Sequence, residues 1–186
     1  MKGFMDKKIN DSVLSETFNS VPEFKFALVD EAKGDKNFIP SRAEPMASGW
    51  DCRAMLETPL LVKPFDYVKI SLGFRAICPN GWWLKINPRS STFTKKQLHA
   101  LYGVADHSYE GQYFFCAQFI PDENTSSLQI NPGDAIAQLI PVRLERMIVS
   151  EVSNEEYDSI CKERGGLRGA GGFGSSDKGF AKVSEK

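Results

Sequence analysis

Short apolar runs broken by turn residues dominate the chain. Residues 112–120, Gln-Tyr-Phe-Phe-Cys-Ala-Gln-Phe-Ile, read as a strand, and so do 24–29 and 60–62. Residues 67–70 and 74–77 read as two further strands split by Gly73, with Pro64 and Pro79 as outer breaks. Over 135–140 Ala135, Ala137 and Leu139 fall on one face, and Ile136, Gln138 and Ile140 on the other. Residues 143–152 read as one more strand. Asn80-Gly81 is a hairpin turn signal. Helix signals are few: a weak one at 11–18, a short helix over 92–99, and 155–161 behind the capping box Ser153-Asn154-Glu155-Glu156. Residues 30–46 read as a loop. Short strands at this spacing predict an all-β fold, a jelly-roll-like β-barrel or sandwich, and not βαβ units.

Composition narrows the function. The 186 residues fit one domain with tails: an N-terminal extension at 1–22, a β domain at 23–163 and a glycine-rich C-terminal arm and tail at 164–186. With 23 basic and 24 acidic side chains the net charge is −1, which gives no footprint for nucleic acid or a membrane surface. An anion site must therefore be local. No run has the length of a membrane span and the first residues lack the apolar core of a signal peptide. Cys52, Cys78, Cys116 and Cys161 form no Cys-x-x-Cys pair, so reduced thiols in the cytoplasm are expected and a zinc site is not.

Five polar or glycine-rich stretches carry candidate chemistry. In Gly103-Val104-Ala105-Asp106-His107-Ser108-Tyr109-Glu110-Gly111, a carboxylate at a tight turn between apolar runs suits a general base fixed by backbone, or is simply a turn residue. Asp51, in Ala47-Ser48-Gly49-Trp50-Asp51, either orients an arginine or metal-bound water, or enters a strand as an ordinary turn residue. Pro88-Arg89-Ser90-Ser91 offers a guanidinium fork, two hydroxyls and backbone N–H groups to phosphate; its plain reading is a serine-capped helix with a surface arginine. Gln138, polar among apolar neighbours, needs a partner, which is a ligand phosphate or a backbone group. The stretch from Gly165 to Ser176 holds six glycines, Gly174 among them, with Arg168, Phe173, Ser175 and Ser176, and suits a wrap around phosphates that is mobile when empty. It lacks the Gly-Lys-Ser/Thr ending of a P-loop.

Taken in chain order, the five stretches resemble the five motifs of the trimeric dUTP diphosphatases (dUTPases), over about residues 24–177. The resemblance implies a β jelly roll, a homotrimer with shared sites, and Mg²⁺-dependent hydrolysis of dUTP to dUMP and diphosphate. Metal would be held mainly by the substrate phosphates. By position, Asp106 is implied as the base that activates water, with Tyr109 against the deoxyribose and Gly103 in the same motif. Arg89, Ser90, Ser91 and Gln138 would bind the phosphate chain, with Asp51 orienting those groups from behind. Arg168, Ser175 and Ser176 would hold the γ-phosphate while Phe173 and Gly174 close the arm over uracil. The resemblance points to a cytoplasmic enzyme, or one of the host cytoplasm or nucleus were the source viral.

The sequence departs from the family pattern at Ala100, Ala105, Ala135 and Asp177; the first two bear on selection of the base. Two alternatives share the scaffold: a dCTP deaminase-like enzyme, whose glutamate would fall at Cys116, and a non-catalytic regulatory nucleotide-binding protein.

Overall fold

A computed structural model describes residues 21–101, 103–145 and 147–166. The chain divides after Glu145 into two units. Among its described residues the first unit carries ten strands: β1 (Lys25–Leu28), β2 (Trp50–Arg53), β3 (Leu60–Val62), β4 (Tyr67–Ile77), β5 (Trp82–Pro88), β6 (Leu98–Ala100), β7 (Gly103–Ala105), β8 (Gln112–Phe119), β9 (Leu128–Ile130) and β10 (Ala135–Arg143), with one short α-helix, α1 (Ser90–Thr94). They form one four-stranded sheet ordered β1-β4-β8-β6, a second ordered β2-β10-β5-β7, and the small pair β3-β9. The described strand pairs are antiparallel.

Period-2 patterning explains the sandwich. On β8, Tyr113, Phe115, Ala117 and Phe119 are buried and alternate with more accessible residues. On β4, Val68, Ile70, Leu72, Phe74 and Ala76 do the same. They meet Leu84 of β5, Ile136, Ala137 and Leu139 of β10 and Cys52 of β2 in one core. Each fully buried aliphatic side chain in it contributes about 1.5–3 kcal/mol. The all-β sandwich expected from the sequence is thus the fold.

Four local expectations are corrected. Gly73 does not split a strand. At φ +82° it forms an irregularity within the single strand β4, where the register to β8 shifts between Ser71 and Arg75. A Cβ there would stand 2.9 Å from the Phe38 Cβ, so both the dihedral and the close approach call for glycine. Asn80-Gly81 is a turn but not a hairpin. It joins β4 to β5, which lie in different sheets because both bury side chains in the shared core from opposite sides. The helix expected over 92–99 is instead α1, ended by Gln97 in the left-handed region (φ 52°), which delivers Leu98 to the core. Residues beyond Arg143 form no strand among the described residues. The last ladder-like contact is Leu144 N–H to the Gly81 carbonyl (2.8 Å), and Met147, Ile148 and Val149 are exposed by 81%, 96% and 97%.

In the second unit α2 (Asn154–Arg164) starts at the expected capping box: Ser153 Oγ accepts the Glu156 N–H at 3.1 Å, and Gly165 closes the helix at φ +61°. The weak helix signal at 11–18 lies outside the described residues. All four cysteines are free. Burial pushes the thiols of Cys52 and Cys78 above their ordinary value, which makes them poor nucleophiles. No helix among the described residues is long and apolar enough to cross a membrane.

Replacing Gly73 by alanine should cost about 1–3 kcal/mol through backbone strain alone. Chemical denaturation would show this as a lower midpoint at unchanged slope; an unshifted midpoint would contradict the account of the bend.

Candidate active site

The site begins with the strand register. β10 lies between β2 and β5, and Gln138 pairs with Asp51 on one side and Asn87 on the other. The flanking row, Leu139 with Trp50 and Ile86, packs on or into the core. Side chains alternate across a sheet, so Asp51, Gln138 and Asn87 share the outer face.

Pro88 ends β5 and releases Arg89 in extended conformation (φ −79°, ψ 158°) as the residue before α1. Arg89 Nε donates to Asp51 Oδ1 at 2.9 Å, and its Nη1 to the Ala135 carbonyl at 3.4 Å. Both side chains of the ion pair are partly buried. Of the five guanidinium N–H groups, two are engaged in these contacts. Asp51 thus orients an arginine, one of the two roles its sequence context allows. Gln138 Nε2 donates to the Pro88 carbonyl at 3.0 Å, so it has a backbone partner, one of the two that its sequence context allows. A Cβ on Gly49 would stand 2.7 Å from Gln138 Oε1, which makes glycine the residue that leaves room for this side chain.

Ser90 and Ser91 open α1, and Ser90 is exposed. Three further residues that sequence reasoning did not single out hold this segment. Thr92 is fully buried and its Oγ1 donates to the Ile136 carbonyl at 2.7 Å. Lys96 Nζ meets Asp134 Oδ2 at 2.7 Å. Burial works against ionisation of Asp134, but hydrogen bonds from Lys96 and the Asn131 N–H, with the lysine charge, hold its carboxyl below the usual carboxylate range. A lysine paired 38 positions away leaves no local signal in a sequence.

The third motif stands elsewhere. β7 pairs with the opposite edge of β5, Gly103 against Ile86 and Ala105 against Leu84. A Cβ on Gly103 would press Ile86 at 3.1 Å. Ala105 is 3% exposed and belongs to the core, so this departure from the family pattern bears on packing. Asp106 follows, exposed, and its carbonyl accepts the Tyr109 N–H at 3.0 Å to close a turn. Tyr109 Oη donates to the Gln112 carbonyl at 2.7 Å, and the ring stands edge-on to Tyr113 at 5.5 Å. A Cβ on Gly111 would lie 2.6 Å from Tyr109 Oη, so the ring lies over that glycine. Beside it opens a cleft of about 750 Å³ lined by Lys25, Phe26, Arg75, His107, Tyr109 and Glu110 among others.

Within one chain these groups do not meet. Arg89 is five residues along β5 from Leu84, the partner of Ala105. At about 3.3 Å per residue that is about 16 Å, and Asp106 continues away from Arg89. The structure therefore brings Asp51, Arg89 and Gln138 together, with Ser90 and Ser91 beside them, and keeps Asp106 and Tyr109 apart from them. Arg168, Phe173, Gly174, Ser175 and Ser176 lie outside the described residues. No three His, Cys, Asp or Glu side chains converge as a metal cage among the described residues.

The chain is similar to proteins of a known family. The dUTPase family model matches residues 35–177. A deoxyuridine 5'-triphosphate nucleotidohydrolase of Aquifex aeolicus is 35% identical over 113 residues, 60% of this chain and 73% of that protein. One from Aeromonas salmonicida is 30% identical over 159 residues, 84% of this chain and 97% of that protein. Among solved structures, a dUTPase of Staphylococcus bacteriophage 80alpha with dUpNHpp superposes at a TM-score of 0.67 with 21% identity, covering 83% of this chain and 98% of that one. A dUTPase from phage phi11 of S. aureus, described for the coordination of a structural Mg(II) ion, gives 0.60 with 18% identity over 71% and 97% of the two chains. With its motifs in order, its sandwich fold and a family match over most of its length, this chain belongs to the dUTPase family.

Proposed function

We propose that the protein hydrolyses dUTP to dUMP and diphosphate, at sites completed between subunits of a homotrimer. The observation that carries the reading is the Asp51–Arg89–Gln138 group at one end of β5, with Asp106 at the other. The first set is built to bind anions and the second to accept a proton. Neither is a catalytic site alone, and a second copy of the chain supplies the missing half.

In this reading Arg89, Ser90, Ser91 and Gln138 bind the phosphate chain. Arg89 does so in an orientation fixed from behind by Asp51, which leaves three N–H groups for phosphate oxygens. Asp106 of a neighbouring subunit accepts a proton from water as the oxygen attacks the α-phosphorus. The bond from that phosphorus to the bridging oxygen then breaks, and the electron pair leaves on diphosphate. Tyr109, pinned through Gln112 and Gly111, presents its half-exposed ring to the deoxyribose and leaves no room for a ribose 2′-hydroxyl. Arg168, Ser175 and Ser176 hold the γ-phosphate, and Phe173 with Gly174 covers the uracil. A Mg²⁺ ion held with the triphosphate would supply neutralisation of charge on the leaving diphosphate. Positioning and electrostatics carry most of such a reaction, since little covalent work falls to the protein.

Asp106→Asn should lower kcat by about 10²–10⁴ while the assembly sediments as wild type; near-normal turnover would remove Asp106 from the mechanism. A complementation experiment checks the sharing of sites. Asp106→Asn and Arg89→Ala proteins, each inactive, should regain part of the wild-type rate when their subunits are mixed and reassembled. Silence of the mixture would mean that each chain holds a whole site. Gly49→Ala should raise KM for dUTP about tenfold by displacing Gln138, equivalent to about 1.4 kcal/mol. Steady-state kinetics would read it, and an unchanged KM would exclude Gln138 from substrate contact.

A further inference from the structure

Residues 89, 92 and 96 lie along one side of the segment that opens as α1, and each reaches the start of β10. Arg89 Nη1 donates to the Ala135 carbonyl at 3.4 Å, Thr92 Oγ1 to the Ile136 carbonyl at 2.7 Å, and Lys96 Nζ to Asp134 Oδ2 at 2.7 Å. The same Asp134 oxygen accepts the Asn131 N–H at 3.1 Å. The Asp134 carbonyl accepts the Ala54 N–H at 2.8 Å, the Gly133 N–H donates to the Ala54 carbonyl at 2.9 Å, and Arg53 Nη1 donates to the Gly133 carbonyl at 3.0 Å. The turn at 131–134 thus ties together the end of β2, which carries Asp51, the start of β10, which carries Gln138, and the far end of the segment carrying Arg89, Ser90 and Ser91.

Among these links Lys96–Asp134 is the one charged contact between side chains, and both side chains are about three-quarters buried. A helix of five residues has little stability of its own, so its placement depends on such anchors. Arg89 alone cannot fix it, because its contacts with Asp51 and Ala135 hold the guanidinium while the serines follow the helix. The lysine lies at the opposite end of the segment from Arg89, and its ammonium bonds to Asp134 and to none of the groups assigned to phosphate.

We propose that Lys96 and Asp134 are positioning residues: their ion pair sets the Arg89–Ser90–Ser91 turn against β10 in the geometry that binds a triphosphate chain. The inference rests on the phosphate role assigned to that turn. It makes the affinity for the phosphate chain depend on a charge pair outside the five motif stretches on the lysine side, and it predicts a ligand-selective effect. Loss of the pair weakens binding of a nucleoside triphosphate and leaves a nucleoside monophosphate little changed, because most of the lost contacts are to the additional phosphates.

The test is calorimetric binding of dUpNHpp and of dUMP to the full-length assembled protein, with Mg²⁺, for wild type, Lys96→Met, Lys96→Arg, Asp134→Asn and Arg89→Ala. Lys96→Met and Asp134→Asn are expected to weaken dUpNHpp about tenfold and dUMP less than twofold, with Lys96→Arg close to wild type. If one of the two neutralised variants fails to assemble, the other decides. Should both fail while Lys96→Arg assembles, the pair is a folding element and the proposal falls. Unchanged dUpNHpp affinity overturns it, as does equal weakening of both ligands or failure of Lys96→Arg to rescue. Arg89→Ala separates the two levels. If it leaves the preference for dUpNHpp over dUMP intact, the phosphate role of the turn is wrong; if it abolishes the preference while Lys96→Met does not reduce it, only the latch is wrong.

Discussion

β10 is the strand on which the site depends, because it is hydrogen-bonded along both edges. β2 holds one side and β5 the other. A slip of one residue would turn Leu139 and Ala137 out of the core and bring Gln138 into it. The apolar alternation of one strand therefore fixes the height of Asp51, Gln138 and Pro88 relative to one another. Arg89 inherits its place from Pro88, and its ion pair with Asp51 follows from register with no separate device to align it.

The same sheet keeps Arg89 and Asp106 apart within one chain. β5 ends at Pro88, next to Arg89, and supports β7 near its other end, at Leu84 and Ile86. A β-strand is stiff, so the two ends cannot fold toward each other. The function proposed above therefore calls for a second copy of the chain, in a different orientation, to join them. In that proposal a symmetric assembly would hold as many complete sites as it has subunits.

Much of the fold was legible because alternation is a local signal. The buried sets of β8 and β10 can be read directly from Tyr113, Phe115, Ala117, Phe119 and from Ala137 and Leu139. Failures occurred where a distant neighbour decides the local shape. Gly73 reads as a break, and only the approach of Phe38 makes it a bend inside a continuous strand. Asn80-Gly81 reads as a hairpin because nothing local tells which sheet the next strand enters. Arg143 to Val152 has strand-forming residues, but a strand needs an edge to pair with, and among the described residues those past Leu144 pair with none. For the site, residue types and order pointed to Asp51, Arg89 and Gln138, whereas Thr92, Lys96 and Asp134 are connected only through the fold. The steric reason for Gly49 is likewise visible only once Gln138 lies over it.

Met147, Ile148 and Val149 stand almost wholly in solvent. Three consecutive uncharged residues with two β-branched side chains and no proline have the makings of a sticky segment. Glu145 and Arg146 precede them and Glu151 follows after a single serine. Such bracketing charges act as gatekeepers that discourage identical stretches from stacking. Exchange of Glu145 or Glu151 for a neutral residue would thin that protection and favour precipitation through this stretch.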